Sequence, residues 1–272
     1  MLGLVRSAMA WNEEFTVLVS AMRAAGTESL RLAAKGFEIV RKPDQSPVTS
    51  ADLAVNDILH AHLMSAFPQD GWLSEESVDD GKRLQKSRVW VVDPIDGTKA
   101  FISGQPEFCI SVALIEEHHP VVAAVYNPST DELFSAIRGE GLYLNHQLVC
   151  VEPSHSVRQP VIALSPWERQ IGRFTALESA AENRPMLSIA WSLALTASGR
   201  IEAVATWEPE NEWDVAAGAL LITEAGGTIV DGNRRELTFN RSEPRYRGIV
   251  ATSPQCPDAL TRELALMTPV VQ

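Results

Sequence analysis

The sequence predicts an α+β region followed by an α/β region, with a soft boundary near residues 150–156. Three observations carry this. Apolar residues at helical spacing recur twice before Pro68. Short apolar runs broken by turn signals then fill residues 88–149. Beyond Val149, short strands alternate with helices. At 272 residues the chain is long enough for one large unit or two modest ones with a sizeable core. We read residues 1–150 as an N-terminal α+β region and 151–272 as a C-terminal α/β region.

Taken in order, Phe15, Leu18, Val19, Met22 and Ala25 follow helical spacing from Trp11 to about Lys35. "KPDQSPVTSAD" reads as a turn-rich connection. A second helix sets Leu53, Ile58, Leu59, Leu63 and Phe67 on one face and stops at Pro68. "VWVV" and "CISVALI" read as buried strands. "VVAAVYNP" and "ELFSAIRGEGLYLN" pair as a hairpin around the turn at Pro128 to Asp131, and Gly139 and Gly141 mark another turn. In the second region "PVIALS" is a short strand and residues 171–182 read as a helix. "SIAWSLALTASG" is an apolar helix ending at Gly199, "IEAVAT" a strand, "WDVAAGALLITEAGG" a helix closed by two glycines, and "GIVATS" a last strand.

Composition narrows the function. A net charge of -12 and a pI near 5.0 argue against a duplex nucleic-acid binder, which needs a basic face. An acidic chain that holds an anion requires metal ions or local dipoles to do so. The three cysteines, Cys109, Cys150 and Cys256, suggest neither a disulfide framework nor a zinc knuckle. The N-terminus carries Arg6 but no sustained apolar run before Asn12, Glu13 and Glu14, and no segment is long enough to span a bilayer. A soluble, cytoplasmic protein with no membrane partner is expected.

The chemistry concentrates in "RVWVVDPIDGTKAFISG". An apolar strand runs into Asp93 and Asp96, with Pro94 fixing the backbone between them. Gly97 permits close backbone approach. Thr98 then opens a helix whose free N–H groups face the same spot, where an anion is favoured. Hard oxygen ligands beside a phosphate cradle are what Mg²⁺-dependent phosphoryl chemistry requires; the same stretch also reads as a turn with an Asp cap. Other acids have structural readings too. Glu75 and Glu76 in "DGWLSEES" read as a solvated strand end. Asp214 in "NEWDVAAG" reads as a helix cap, and Thr49 with Asp52 as a capping box.

Together the segments "SEES", "DPIDGT" and "WDVAAGALLITEAGG", in that order and at these separations, resemble the inositol monophosphatase superfamily, which are Mg²⁺-dependent, lithium-sensitive phosphatases of small molecules. The likeness runs from "PVTSAD" through "FNRSEPRYRGIVATSP". It implies a layered αβαβα sandwich. It also implies that Glu75, Asp93 and the Ile95 carbonyl hold one Mg²⁺, and that Asp93, Asp96 and Asp214 hold a second. A third, weaker ion near Glu75 would bring the total to about two to three. Thr98 with Asp52 behind it matches the pair that orients the attacking water, and Glu75 shares in catalysis as a ligand. Glu76 supports the site from behind. The backbone N–H groups of Gly97 and Thr98 would bind phosphate oxygens. Water attacks directly, so Cys109 and the six histidines need no catalytic role.

The resemblance implies a small-molecule phosphate ester as partner and no nucleic-acid polymer. "DGTK" resembles the nucleotidase and histidinol-phosphate branches. Lys99 there would welcome a second phosphate, or is a solvated surface lysine. "NEWD" and "FNRSEPRYRGIVA" resemble bacterial proteins grouped with the bisphosphate nucleotidases. Two departures pull the other way. Leu187 precedes Ser188 where relatives show glycine, and Ser192 stands where nucleotidases carry lysine. Glu208 resembles the glutamate with which inositol phosphatases grip substrate hydroxyls, and the acids at 208, 210 and 212 suit a polyol or amine. Lys99, Ser188 and Glu208 are therefore the candidate substrate contacts. The expected activity is 3'(2'),5'-bisphosphate nucleotidase, then inositol-1-monophosphatase, then histidinol-phosphate phosphatase. A metal-bound scaffold is the non-enzyme rival. Monomer and homodimer both stay open.

Overall fold

The computed structural model describes residues 10–153, 159–177 and 179–267. Arg6, part of the expected boundary at 150–156 and one residue of the expected 171–182 helix fall outside these. Helix α1 (Asn12–Lys35) leads into a small hairpin, β1 (Ile39–Arg41) and β2 (Pro47–Thr49), and then α2 (Ser50–Ala66). Strands β3 (Gly71–Ser74) and β4 (Arg88–Asp96) follow, then the single turn of α3 (Thr98–Ile102). A meander comes next: β5 (Cys109–Glu116), β6 (His119–Asn127), β7 (Glu132–Ile137), β8 (Leu142–Leu144) and β9 (Gln147–Val149). The second region holds β10 (Val161–Leu164), α4 (Pro166–Gln170), β11 (Glu182–Pro185), α5 (Ile189–Ala197), β12 (Ala203–Asn211), α6 (Glu212–Glu224), β13 (Thr228–Asp231), β14 (Arg245–Thr252) and α7 (Asp258–Leu266).

These elements stack in five layers. The larger sheet runs β3-β4-β5-β6-β7-β8-β9 and the smaller β11-β10-β12-β14-β13. The apolar runs of the larger sheet have no polar face because both faces are covered. Trp90, Val92, Ile110, Val112 and Leu114 pack with Leu18, Met22, Leu59 and Leu63 of α1 and α2. Their alternates Val89, Val91, Cys109, Ala113 and Ile115 join the residues of α5 and α6 in the central cluster. Helix α5 is buried over all nine residues because it lies between the two sheets. A third cluster, including Leu164, Phe174, Leu177, Ala205, Leu260 and Leu264, packs α7 on the outer face of the smaller sheet. Each large aliphatic so buried contributes roughly 2 kcal/mol. The arrangement is the αβαβα sandwich.

Several expectations change. The turn-rich connection contains β2, paired antiparallel with β1 from Ile39↔Thr49 to Arg41↔Pro47. On α2 the buried stripe is Ala51, Val55, Leu59 and Leu63, while Leu53 is 49% exposed. The core side of that helix carries Asp52 and Asn56 as well, which an apolar count overlooks. The stretch 171–182 is not one helix. Gly172 at φ 74 ends the α4 turn, a 3-10 turn covers Thr175–Leu177, and β11 pairs parallel with β10 from Val161↔Glu182. The smaller sheet is mixed, because β14 runs antiparallel to both β12 and β13. Strand β13 and helix α7 add to the expected elements; each is short, and α7 buries only Leu260 and Leu264.

Candidate metal centre

The strand β4 ends in an irregularity that decides the chemistry. Asp93 pairs with Ser111 and Asp96 with Cys109, so three steps along β4 match two along β5. In a regular strand Asp93 and Asp96 would point to opposite faces. The extra residue of the bulge returns both to one face. Pro94 suits this position because it has no N–H to give a ladder. The Ile95 N–H turns inward to donate to Asp93 Oδ1 at 3.0 Å. Gly97 follows at φ 91, and a Cβ there would lie 2.9 Å from the Glu107 carbonyl oxygen and 3.1 Å from Ser188 Cβ. Only glycine fits that gap.

The third acid comes from the other sheet layer. Asp214 is the third residue of α6, where its Oδ2 accepts the Asn211 backbone N–H at 2.7 Å and the Asn211 side-chain amide at 3.1 Å. The N-cap itself is Asn211 and not Asp214, which instead closes a capping box from the third helical position, and its carboxylate also meets the bulge. One oxygen from each of Asp93, Asp96 and Asp214 lies within 4.8 Å of the others. Burial, then Glu75, Asp96 and Asp214, push the Asp93 carboxyl well above its ordinary value. Burial raises Asp96 to about 6, against hydrogen bonds from Ser188 and Ala190 that pull it down. Asp214 rises through burial, then through Asp96 and Glu75. Hard oxygen donors crowded against their own repulsion are a donor set that fits a divalent cation.

Glu75 follows β3, its backbone N–H donating to Val92 O at 3.2 Å. Its Oε1 and that of Glu76 are each 2.7 Å from Lys42 Nζ. Burial pulls the lysine down, but Glu75 and then Glu76 reverse this and leave it above the ordinary lysine range. Glu76 is raised, by burial first. Lys42 sits in the small hairpin, and no local signal distinguishes it in the sequence. Asp52 is the third residue of α2 and accepts the Thr49 N–H at 2.8 Å. Burial raises its carboxyl against that bond and the Thr49 hydroxyl. Its other oxygen faces Thr98 Oγ1 at 3.3 Å, which also lies 3.1 Å from the Ile95 carbonyl.

The expected substrate contacts separate. Ser188 is only 3% exposed, and its hydroxyl donates to Asp96 Oδ2 at 2.6 Å; the Ala190 N–H reaches the same oxygen at 2.6 Å. Lys99 is exposed and shares a cleft with Arg41, Asp44 and Ser46 of the hairpin. Glu208 meets Arg173 at 2.7 Å, and Arg173 is fixed at 2.8 Å by fully buried Glu168. Of the neighbouring acids, Glu212 points away and accepts the N–H groups of Asn240 and Arg241 at 2.7 and 3.0 Å. Glu210 is the one beside the metal acids. Burial, then Asp214 and Asp96, push it well up.

Comparison with known proteins identifies the family. The chain is 34% identical to an inositol monophosphatase 2 of Solanum lycopersicum over 270 residues, 93% of this chain and 98% of that one. It is 35% identical to an inositol-1-monophosphatase of Rhizobium meliloti over 236 residues, 82% of this chain and 87% of that one. The crystal structure of the extragenic suppressor protein suhB from Bartonella henselae superimposes with a TM-score of 0.80 at 28% identity, covering 93% of this chain and 99% of that one. The model of the inositol monophosphatase family matches residues 11–265 and so spans every acid of the centre: the chain is a member of that family.

Proposed function

We propose that this phosphatase hydrolyses the monophosphate of a small polyol, inositol 1-phosphate or a close analogue, in a Mg²⁺-dependent reaction. The observation that carries the reading is the convergence of Asp93, Asp96 and Asp214 next to the Asp52–Thr98 pair. Asp93, Asp96, Asp214 and Glu75, with the Ile95 carbonyl, would hold about two to three Mg²⁺. Bound there, the ions supply charge neutralisation at the phosphoryl group and acidification of water. The chain's own residues do the rest. Thr98, between Asp52 and the Ile95 carbonyl, orients a water by its hydroxyl, and Asp52 is the proton's destination. The N–H groups of Gly97 and Thr98 face the phosphate oxygens. Ser188 holds Asp96 in position, and Glu76 with Lys42 steadies Glu75.

The polyol reading rests on the acids beyond the metal centre. Glu210, beside the metal acids, and Glu208, held by Arg173, offer oxygens that accept hydrogen bonds from substrate hydroxyls. The relatives named as inositol monophosphatases agree with it. One observation favours a second reading, a 3'(2'),5'-bisphosphate nucleotidase: the cations Arg41 and Lys99 line one cleft with Asp44, and Lys99 directly follows Thr98. Phosphate release from inositol 1-phosphate, adenosine 3',5'-bisphosphate and histidinol phosphate at matched Mg²⁺ separates them. The expected result is a kcat/KM for inositol 1-phosphate at least about tenfold above the others, or ~1.4 kcal/mol of discrimination. A preference for the bisphosphate overturns the polyol assignment. Absence of release from every ester leaves the metal-bound scaffold.

A further inference from the structure

One cleft of about 430 Å³, whose lining includes none of the metal acids, is lined by Arg235, Arg241, Arg245 and Arg247, with Asp231 and Glu243 as its only acids. Its lining therefore carries four positive and two negative groups, in a chain of net charge -12. Several arginines elsewhere are matched to carboxylates, among them Arg23 to Asp131, Arg83 to Asp79, Arg88 to Asp70, Arg173 to Glu168 and Arg200 to Glu132. Among the described residues, Arg235, Arg245 and Arg247 have no such partner within ion-pair distance. Three unpaired guanidiniums thus gather with Arg241 in one concavity of an acidic molecule.

The cleft is built rather than accidental. Arg245 and Arg247 alternate along β14 with buried Tyr246, so they share one face. Arg241 is held by its Nη1, which donates to the Arg245 carbonyl at 3.1 Å, and it stacks over the Tyr246 ring at 5.0 Å. The facing turn is sewn to the strand: the Gly232 N–H reaches the Arg247 carbonyl at 3.1 Å. Asp231 Oδ1 is occupied by the N–H groups of Asn233 and Arg235, each at 2.8 Å, so it shapes the turn that presents Arg235. Glu210, the acid beside Asp96 and Asp214, pairs in register with Tyr246 and not with an arginine.

We propose that this cleft binds a small anion carrying two or more linked phosphate groups, at a site separate from the metal centre. Guanidinium presents paired donors in a planar fork that matches phosphate oxygens, and several forks in one concavity select for more than one such group. The volume suits a small molecule. An extended nucleic acid fits poorly: Tyr246, the aromatic of the lining, is 4% exposed and offers no ring for base stacking. The surrounding negative field opposes a long polyanion.

The test is calorimetric titration of inorganic pyrophosphate into the full chain in buffer stripped of divalent cations. The expected result is saturable one-to-one binding with Kd below about 1 mM. The R245E/R247E double variant should bind at least about tenfold more weakly, and R247Q about threefold more weakly should the double variant fail to fold. D93N should bind within about twofold of wild type, since the metal acids take no part. Orthophosphate should bind at least about tenfold more weakly than pyrophosphate. No saturation by about 10 mM, undiminished binding to the arginine variants, loss of binding in D93N, or equal binding of orthophosphate each overturns the assignment.

Discussion

Asp93, Asp96 and Asp214 illustrate a cost carried by single side chains. Hydrogen bonds favour the charged forms of Asp96 and Asp214, but burial with mutual repulsion outweighs them and raises all three. Removing one charge should therefore damage function without damaging the fold. D93N is expected to lower Mg²⁺-dependent phosphate release by about a thousandfold or more. The metal-free variant should melt no lower than wild type. Near-wild-type turnover in D93N refutes the centre. A pH effect follows from the same repulsion. Between the ordinary value 3.8 and about 6, the folded metal-free chain keeps a proton on Asp96 that the unfolded chain has lost. Its contribution to stability is therefore present below that window and is lost as pH rises through it. The melting temperature of metal-free wild type relative to D96N should fall from about pH 4 to about pH 6.5. A flat difference contradicts the shift.

At the scale of elements, two helices deliver acids by the same device. Asp52 and Asp214 are each the third residue of a helix and each closes a capping box, so the bond that starts the helix also orients the carboxylate. The placement of α6 then depends on how closely it approaches α5. A Cβ added at Gly218 would lie 2.6 Å from Leu193 Cβ, which is too near the backbone of α5 to swing aside. G218A should force the helices apart at a cost of about 1–3 kcal/mol. Because α6 carries Asp214, the Mg²⁺ concentration for half-maximal activity should rise as the melting temperature falls. A stability loss with unchanged Mg²⁺ dependence separates α6 packing from the centre.

Across the whole molecule, the central cluster mixes Val89, Val91 and Phe134 of the first region with Leu193, Leu221 and Ile249 of the second. The centre is likewise assembled from both, since Asp93 and Asp96 come from one and Asp214 from the other. We therefore expect one cooperative unfolding transition, coincident by near- and far-ultraviolet circular dichroism, in metal-free protein. Mg²⁺ should move the whole transition upward by mass action, by ~2.7 kcal/mol at one hundred times its Kd. Two separable transitions, with only one responding to Mg²⁺, would mark residues 1–150 and 151–272 as independent units. Among the described residues no helix is long and apolar enough to cross a membrane.

Much of this was legible locally. Helical spacing located α1, and glycines and turn residues bounded the meander, because those signals act between neighbours a few residues apart. "DPIDGT" and the Trp-Asp helix pointed to Asp93, Asp96 and Asp214 through their resemblance to the inositol monophosphatase superfamily, whereas on its own residues Asp214 read as a helix cap. The capping box of Thr49 and Asp52 was readable for the same short-range reason. What lay beyond reach depends on contacts between distant segments. The bulge that turns Asp93 and Asp96 to one face is defined only against β5. Lys42 joins the site only because the hairpin folds over Glu75 and Glu76. Leu53 is exposed, and Glu208 is tied to Arg173 while Glu210 faces the centre, because packing partners select which side of an element is inside. A carboxylate's identity is written in the chain, but its direction is set by whatever the rest of the fold presses against it.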